Sequence, residues 1–420
     1  MKQLTIVQTF ISRFLILVLS FGLVIFSTNM WGTEGKGVIA ILIANAAIVG
    51  FFSSVFSGSS ISYFSSKFKT EQVLLYAYLW SIIVGVVVPL TFSLVFRQDD
   101  YLLYLIPISI LFSLLSANIN LFIGRKDIRR FNLYTILQQL VHFLFLIVLI
   151  YVVGFEDVAT YFIAQIFCYT ILFFLSSFQI LSKSKLSNFT FSIVIIVAMF
   201  SYGWKTQLSA FIQFLNYRLS FYFLEYFQGI ATVGVFSIGV AFSEAIWTLS
   251  RSLAVILYAD VINSKNEQDS ITKTKSSLKI TLFVTVFFLA IMLLVPEKVY
   301  TVIFSKDFYQ TKKIILLLSP GIVAIAVSNI IGYYFAGTNR LGILNVKSVI
   351  GFLITICLSF YAIPKWGIFG ACLVTTVSYC VSSGVLFWKF FSITNFKIQD
   401  YLISKSDLNL YLRKIVRKLS

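Results

Sequence analysis

Between residues 5 and 391 the chain is a succession of about twelve apolar runs. Each is near the twenty residues that a helix needs to cross roughly 30 Å of hydrocarbon. Their approximate cores are 5–26, 37–56, 73–96, 101–123, 131–153, 158–181, 201–226, 232–257, 280–295, 314–336, 346–361 and 368–391. No soluble core could bury them all. Hydrophobic residues make up 59% of the 420, charged residues 12%, and mean hydropathy is +0.93, whereas a soluble domain is about a quarter charged. Lipid must therefore act as solvent, and backbone groups in lipid are satisfied within helices. The fold class is all-α: a polytopic membrane protein of about 12 transmembrane helices. An extra apolar stretch, Phe191 to Phe200, is too short to cross alone and reads as an interfacial lead-in to the seventh span.

The first span is not expected to be a cleaved signal. Arg13 interrupts it, no small-x-small site follows, and further spans come directly after. With the N-terminus inside, most of the 33 Lys and Arg fall on inner segments, above all Arg125, Lys126, Arg129 and Arg130 and then 265–279. Twelve spans place both termini in the cytoplasm by the positive-inside rule. That bias accounts for most of the +17 net charge. The charges are scattered over many short loops, so membrane lipids, not nucleic acid, are the expected partner.

The spans divide six and six about the polar segment 182–188, giving an N-terminal bundle (1–190), a C-terminal bundle (191–391) and a basic tail (392–420). In the tail, Leu408, Leu412, Ile415 and Leu419 recur at helical spacing among Lys405, Arg413, Lys414, Arg417 and Lys418. That is the pattern of an amphipathic helix on the inner leaflet. The second span opens Gly37-Val38-Ile39-Ala40 and the eighth opens Gly234-Val235-Phe236-Ser237, a hint of a parallel repeat.

Ionisable side chains within spans need a reason. Among them are Arg13 on span one, Lys205, Arg218 and Glu225 on span seven, and Glu244 and Arg251 on span eight. Seven positions return a helical side chain to nearly the same face, so Arg218 shares a face with Glu225, and Gln207 falls there too. Glu244 shares another with Arg251. Snorkelling to the interface is the competing reading for Lys205, Arg251 and Arg13, and an interfacial position for Glu225. Arg218 and Glu244 lie too deep for that. Four cations against two carboxylates suit an anionic ligand. Arginine suits a phosphate or pyrophosphate, because its planar fork donates bidentate hydrogen bonds and keeps its charge when buried.

The single histidine, His142, reads as an interhelical hydrogen bond, with proton relay as the sharper alternative. Four dispersed cysteines and one histidine make no metal site, and no Gly-rich phosphate loop with its Lys is present. No cofactor or enzymatic activity is expected. Pro89 and Pro320-Gly321 fall within spans and are expected to kink them.

Several motifs together resemble a known family. They are Trp31-Gly32-Thr33-Glu34-Gly35-Lys36-Gly37 after span one, and Gly58-Ser59-Ser60-Ile61-Ser62-Tyr63 after span two. Arg218 is followed by Val233-Gly234-Val235-Phe236-Ser237 and Glu244, and Ser305-Lys306-Asp307-Phe308 leads to Leu318-Ser319-Pro320-Gly321. The last is Ile363-Pro364-Lys365-Trp366-Gly367-Ile368-Phe369-Gly370-Ala371. In order and spacing they are similar to the Wzx-type polysaccharide flippases of the multidrug/oligosaccharidyl-lipid/polysaccharide exporter superfamily. The resemblance implies a MATE-like flippase fold of two six-helix bundles in the bacterial cytoplasmic membrane. It implies transfer of an undecaprenyl-pyrophosphate-linked oligosaccharide from the inner to the outer leaflet, for O-antigen, capsule or lipopolysaccharide synthesis alongside polysaccharide polymerase machinery. Arg13 resembles the helix-one arginine of related flippases. The peptidoglycan-precursor flippases carry two further C-terminal helices and fit less well, since no apolar span follows Phe391.

On this basis Arg13, Arg218, Arg251, Lys205 and Gln207 are the expected substrate-binding residues. Glu244 and Glu225 are the expected sites for a coupling proton or sodium ion. Two other readings remain open. A cation or drug antiporter on the same fold wants intramembrane carboxylates in the first half, where every Asp and Glu falls in a loop. A membrane polymerase or glycosyltransferase wants a sizeable outer loop, and the longest, 296–313, is short.

Overall fold

The structure, a computed structural model, describes residues 2–96, 101–182, 191–264 and 266–394. The tail beyond residue 394 and the polar segment after Ser182 lie outside the described residues. The helices are α1 (Lys2–Ser57), α2 (Ser59–Phe64), α3 (Thr70–Phe96), α4 (Leu102–Gly124), α5 (Ile128–Val148), α6 (Ala159–Leu181), α7 (Ile193–Gln228), α8 (Ile230–Ile262), α9 (Glu267–Leu294), α10 (Glu297–Phe304), α11 (Thr311–Gly337) and α12 (Gly342–Thr394). Helix α5 runs on through a π turn, Leu149–Val153. No strand occurs among the described residues.

Among those residues nine helices are long and apolar enough to cross a bilayer, and the bent α7 makes a tenth. Helices α1 and α12 are of double length, and each is interrupted by one glycine in a non-helical, positive-φ conformation. These are Gly32 (φ 61°) and Gly367 (φ 54°). A side chain would strain both positions. Both breaks are reversals. A Cβ on Gly370 would lie 2.1 Å from the carbonyl oxygen of Ala362, whereas eight residues of straight helix span about 12 Å. A Cβ on Gly35 would lie 2.3 Å from that of Trp31. Counting both limbs of α1 and α12, the described residues hold twelve segments of crossing length.

The chain forms two compact units, 1–211 and 212–420, which divide within α7. The two units build their turns alike. In the first, the Trp31 indole donates to the Glu156 carbonyl (2.6 Å), tying the α1 reversal to the turn before α6. In the second, Gly367 lies against the Gln228 side chain at the end of α7. Gly154 and Gly229 at the partner turns also have positive φ. The dipeptide Trp-Gly with a second glycine three residues on (Trp31, Gly32, Gly35; Trp366, Gly367, Gly370) marks both reversals.

Small polar residues are buried beside the apolar cores, and large apolar side chains also face outward. Ser53, Ser57, Ser60, Ser81, Asn118 and Ser176 are buried in the first unit, while Leu103, Phe174 and Phe178 are exposed. Without a hydrophobic drive between helices in lipid, association depends on close packing and interhelical hydrogen bonds. Asn118 on α4 shows this. It accepts from the Tyr78 hydroxyl on α3 and donates to Ser176 (2.8 Å) and Ser177 (2.9 Å) on α6. His142 is likewise satisfied, its Nε2 donating to the Tyr161 carbonyl at 3.1 Å.

One expectation needs correction. The stretch Phe191 to Phe200 is no interfacial lead-in. From Ile193 onward it is the first limb of α7, with Ile195 and Met199 buried in the core of the first unit. Ser60 donates to the Met199 carbonyl (2.7 Å), and Gly203 lies directly on the Val55 backbone. Helices α3 and α11 run on through Pro89 and Pro320, and α7 bends by 42° between Ile193–Leu208 and Ala210–Gln228.

The glycines supply a test. Gly370→Ala should destabilise the protein in detergent by about 1–3 kcal/mol through overpacking, seen as a lower melting temperature, because the obstructing atom is backbone. Gly384→Ala, with nothing within 4 Å of its Cβ position, should raise stability by about 0.5–1 kcal/mol.

Candidate functional site: a charged cluster in the C-terminal unit

The second limb of α7 is the spine of this cluster. Gln213, Asn216 and Ser220, at helical spacing, turn one face towards both limbs of α12. Gln213 accepts from Ser348 (3.1 Å), and Asn216 Oδ1 accepts from Thr355 (2.6 Å) and Ser378 (2.8 Å). Ser220 lies 3.3 Å from Thr375. Gly351 allows the approach, since a Cβ there would lie 2.4 Å from the Asn216 amide nitrogen. Locking α7 this way fixes where the next two residues, Tyr217 and Arg218, are aimed.

Arg218 meets α8. Its Nη2 lies 2.6 Å from Glu244 Oε1, the arginine side chain 19% exposed and the glutamate 41%. The guanidinium also sits over the Phe221 ring, 5.0 Å from its centroid. Tyr217 packs against Trp247 (5.1 Å between centroids) and Tyr379 (5.4 Å). Arg251 stands within electrostatic reach of its hydroxyl. Tyr379 stands within electrostatic reach of Arg218, Glu244 and Arg251. The expected shared face of Glu244 and Arg251 is therefore present, with the buried Trp247 between them.

One member was not read from the sequence. Lys347, on the first limb of α12, is 7% exposed and neighbours Arg251. It sits at the end of a span, where a lysine is ordinarily a snorkelling residue. The available signal was its register. It heads the stripe Lys347, Gly351, Thr355 and Ser359, four residues apart and buried throughout.

The structure thus brings Arg218, Glu244 and Arg251 together and adds Lys347, Tyr217 and Tyr379. Glu225 is half-buried on α7, close to Tyr222. Arg13, Lys205 and Gln207 belong to the first unit. There Arg13 is exposed with its guanidinium 5.8 Å from the Phe131 centroid, Lys205 is exposed, and Gln207 lies beside Gly58. Gln207 precedes the break in α7, so the helical arithmetic that put it on the Arg218 face does not carry across. Among the described residues no group of three or more His, Cys, Asp or Glu comes together as a metal site.

No family model and no curated protein matches the sequence. Solved structures do match the fold. An inward-facing multidrug resistance MATE family transporter of the MOP superfamily aligns with TM-score 0.69 at 15% identity, over 92% of this chain and 94% of that one. The lipid II flippase MurJ, in an inward closed conformation, aligns with TM-score 0.75 at 16% identity, over 99% of this chain and 92% of that one. A MOP superfamily transporter from Pyrococcus furiosus aligns with TM-score 0.58 at 14% identity, over 93% and 95%. The chain has the MATE/MurJ-like transporter fold. It is a multi-pass membrane protein whose structural neighbours are transporters and flippases.

The ion pair supplies the second test. In a double-mutant cycle of Arg218→Gln and Glu244→Gln, read by unfolding in detergent, the coupling should be about 1 kcal/mol. That lies at the top of the range for open surface pairs and below that of fully buried ones.

Proposed function

We propose that this protein is a flippase. On this reading it moves an undecaprenyl-pyrophosphate-linked oligosaccharide from the inner to the outer leaflet of the cytoplasmic membrane by alternating access, for O-antigen or capsule synthesis. One observation carries the reading. The cluster on α7, α8 and α12 holds Arg218, Arg251 and Lys347 against one carboxylate, Glu244. A site with that balance favours an anion, and a pyrophosphate is the densest charge on a lipid-linked glycan. Arg218 and Arg251 would meet it with forked donors. Arg13, Lys205 and Gln207 of the first unit are proposed as further cargo contacts.

Glu244 is the proposed coupling site, with Glu225 as a second. A proton or sodium ion on Glu244 would release Arg218 from its ion pair. Cargo and coupling ion would then be linked through one side chain. Among solved structures of this fold, the Pyrococcus furiosus transporter carries the description that reverse polarity of its binding pocket suggests a different function. The same logic weighs against a cationic-drug antiporter here. The described acidic residues of the first unit, Glu34, Glu71, Asp127, Glu156 and Asp157, stand in turns or at helix ends.

The decisive experiment is on a deletion strain. Loss of surface polymer with single polyprenyl-linked repeat units trapped on the cytoplasmic face is the expected result. Repeat units reaching the outer face unpolymerised would indicate a polymerase, and unchanged glycans would leave the antiporter. Complementation with Arg218→Glu should restore membrane level without restoring polymer. Full activity of that variant would remove Arg218 from the site.

A further inference from the structure

The connection between the third and fourth segments differs between the two units. In the first unit the chain passes from the end of α3 at Phe96 to the start of α4 at Leu102. In the second it runs from Leu294 to Thr311 and contains a helix of its own, α10. Pro296 stands at the start of that helix, Glu297 lies in its first turn, and Ser305, at φ 84°, ends it.

Helix α10 does not sit at the tip of its unit. Phe242 of α8 packs edge-on against both Tyr300 and Phe304, with 5.8 Å between ring centroids in each case. The Tyr300 hydroxyl donates to the Met292 carbonyl in the last turn of α9 (2.6 Å). Phe242 stands twelve residues beyond the start of α8 at Ile230, about 18 Å along its axis. The short helix therefore lies on the flank of α8. The adjoining ends of α9 and α11 expose Leu294 and Leu316.

The two faces of α10 differ. At 100° per residue, Tyr300 and Phe304 fall on one face, and both are buried. Lys298, Val299 and Val302 fall on the other, and all are exposed, Val302 at 81%. Ile303 is exposed at the edge. Glu297 falls nearer the buried face, away from Val302. Lys306, just past the helix, is exposed. Among the described residues neither Lys298 nor Lys306 has a carboxylate partner. Residues 296–313 hold four lysines against two acidic residues.

A loop wholly in water gains nothing from valines on its open face, and a helix wholly in hydrocarbon cannot keep unpaired lysines there. Valines and lysines side by side suit the boundary where acyl chains end and headgroups begin. The sign of the charge selects the headgroup. We propose that α10 and Lys306 form an interfacial docking surface for anionic phospholipid. Val299, Val302 and Ile303 lie against acyl chains, and the Lys298 and Lys306 ammonium groups meet headgroup phosphates. On the expected orientation this is the outer leaflet, the side on which the positive-inside rule leaves few cations. One face of eight residues is well short of the area that a stable protein partner would bury. The surface does not depend on what the protein transports.

The test is hydrogen–deuterium exchange of the 297–304 amides in the full chain. Nanodiscs of phosphatidylcholine are compared with nanodiscs that also contain phosphatidylglycerol. Phosphatidylglycerol should slow that exchange about fivefold or more, the effect of one lysine at an anionic surface. Raised salt should reverse the slowing. Lys298→Gln combined with Lys306→Gln should exchange like the wild type in phosphatidylcholine and lose the response to phosphatidylglycerol. Both side chains are exposed, so the fold is not at stake. Val302→Ser should exchange faster than the wild type in both lipids, and Val302→Leu should not.

Equal wild-type exchange in the two lipids overturns the headgroup contact, as does a phosphatidylglycerol response that survives in the double variant. Wild-type exchange in Val302→Ser overturns the acyl contact. Protection of 297–304 in native-membrane vesicles that neither defined nanodisc reproduces would assign the face to a protein partner and overturn the lipid assignment.

Discussion

A charge within a bilayer persists only where something answers it, and most of this chain is arranged around that constraint. Backbone groups are answered within the helices. Several buried polar side chains are answered across helix contacts, as Asn118 is by Tyr78, Ser176 and Ser177, and Asn216 Oδ1 by Thr355 and Ser378. Small residues let the helices come near enough for such bonds to form. Gly351 against Asn216 and Gly203 against Val55 are direct cases. Large apolar side chains fill the cores and also cover the outside, where lipid replaces water.

The turns follow the same logic. A reversal exposes backbone groups, so it must be short and tied down. The chain uses a positive-φ glycine after a tryptophan at both long reversals, Gly32 and Gly367, and a second glycine where the limbs touch. The Trp31 indole bonded to the Glu156 carbonyl, and Gln228 set against Gly367, show one turn packed on another in each unit. This likeness is stronger evidence for a repeated six-segment plan than the openings at Gly37 and Gly234 alone.

Much of this was legible because bilayer thickness imposes a length. Twelve runs of about twenty residues read correctly as twelve crossing-length segments, and the face shared by Glu244 and Arg251 followed from helical spacing on an unbroken α8. Legibility failed where a helix was not straight or a residue sat at its end. Phe191 to Phe200 looked too short because its continuation lies past a 42° bend near Leu208, which no proline marks. Gln207 was assigned to the Arg218 face by arithmetic that the same bend interrupts. Lys347 stands near the end of its span, where nothing in its position sets a lysine apart. Only tertiary packing, which a hydropathy scan cannot see, shows it buried beside Arg251.

The asymmetry of the ion pair gives the proposed coupling its direction. Glu244 is the more exposed partner at 41%, while Arg218 is 19% exposed and held over the Phe221 ring. An ion arriving from solution therefore reaches the carboxylate first. Neutralising it leaves the arginine over the Phe221 ring without its counter-ion. The cluster's net charge rises by one at the moment the ion binds, and its demand for an anion rises with it. On the flippase reading, ion and cargo need not touch to be coupled. They share Arg218, and the free energy that links them is set by how strongly that pair is held in the empty protein.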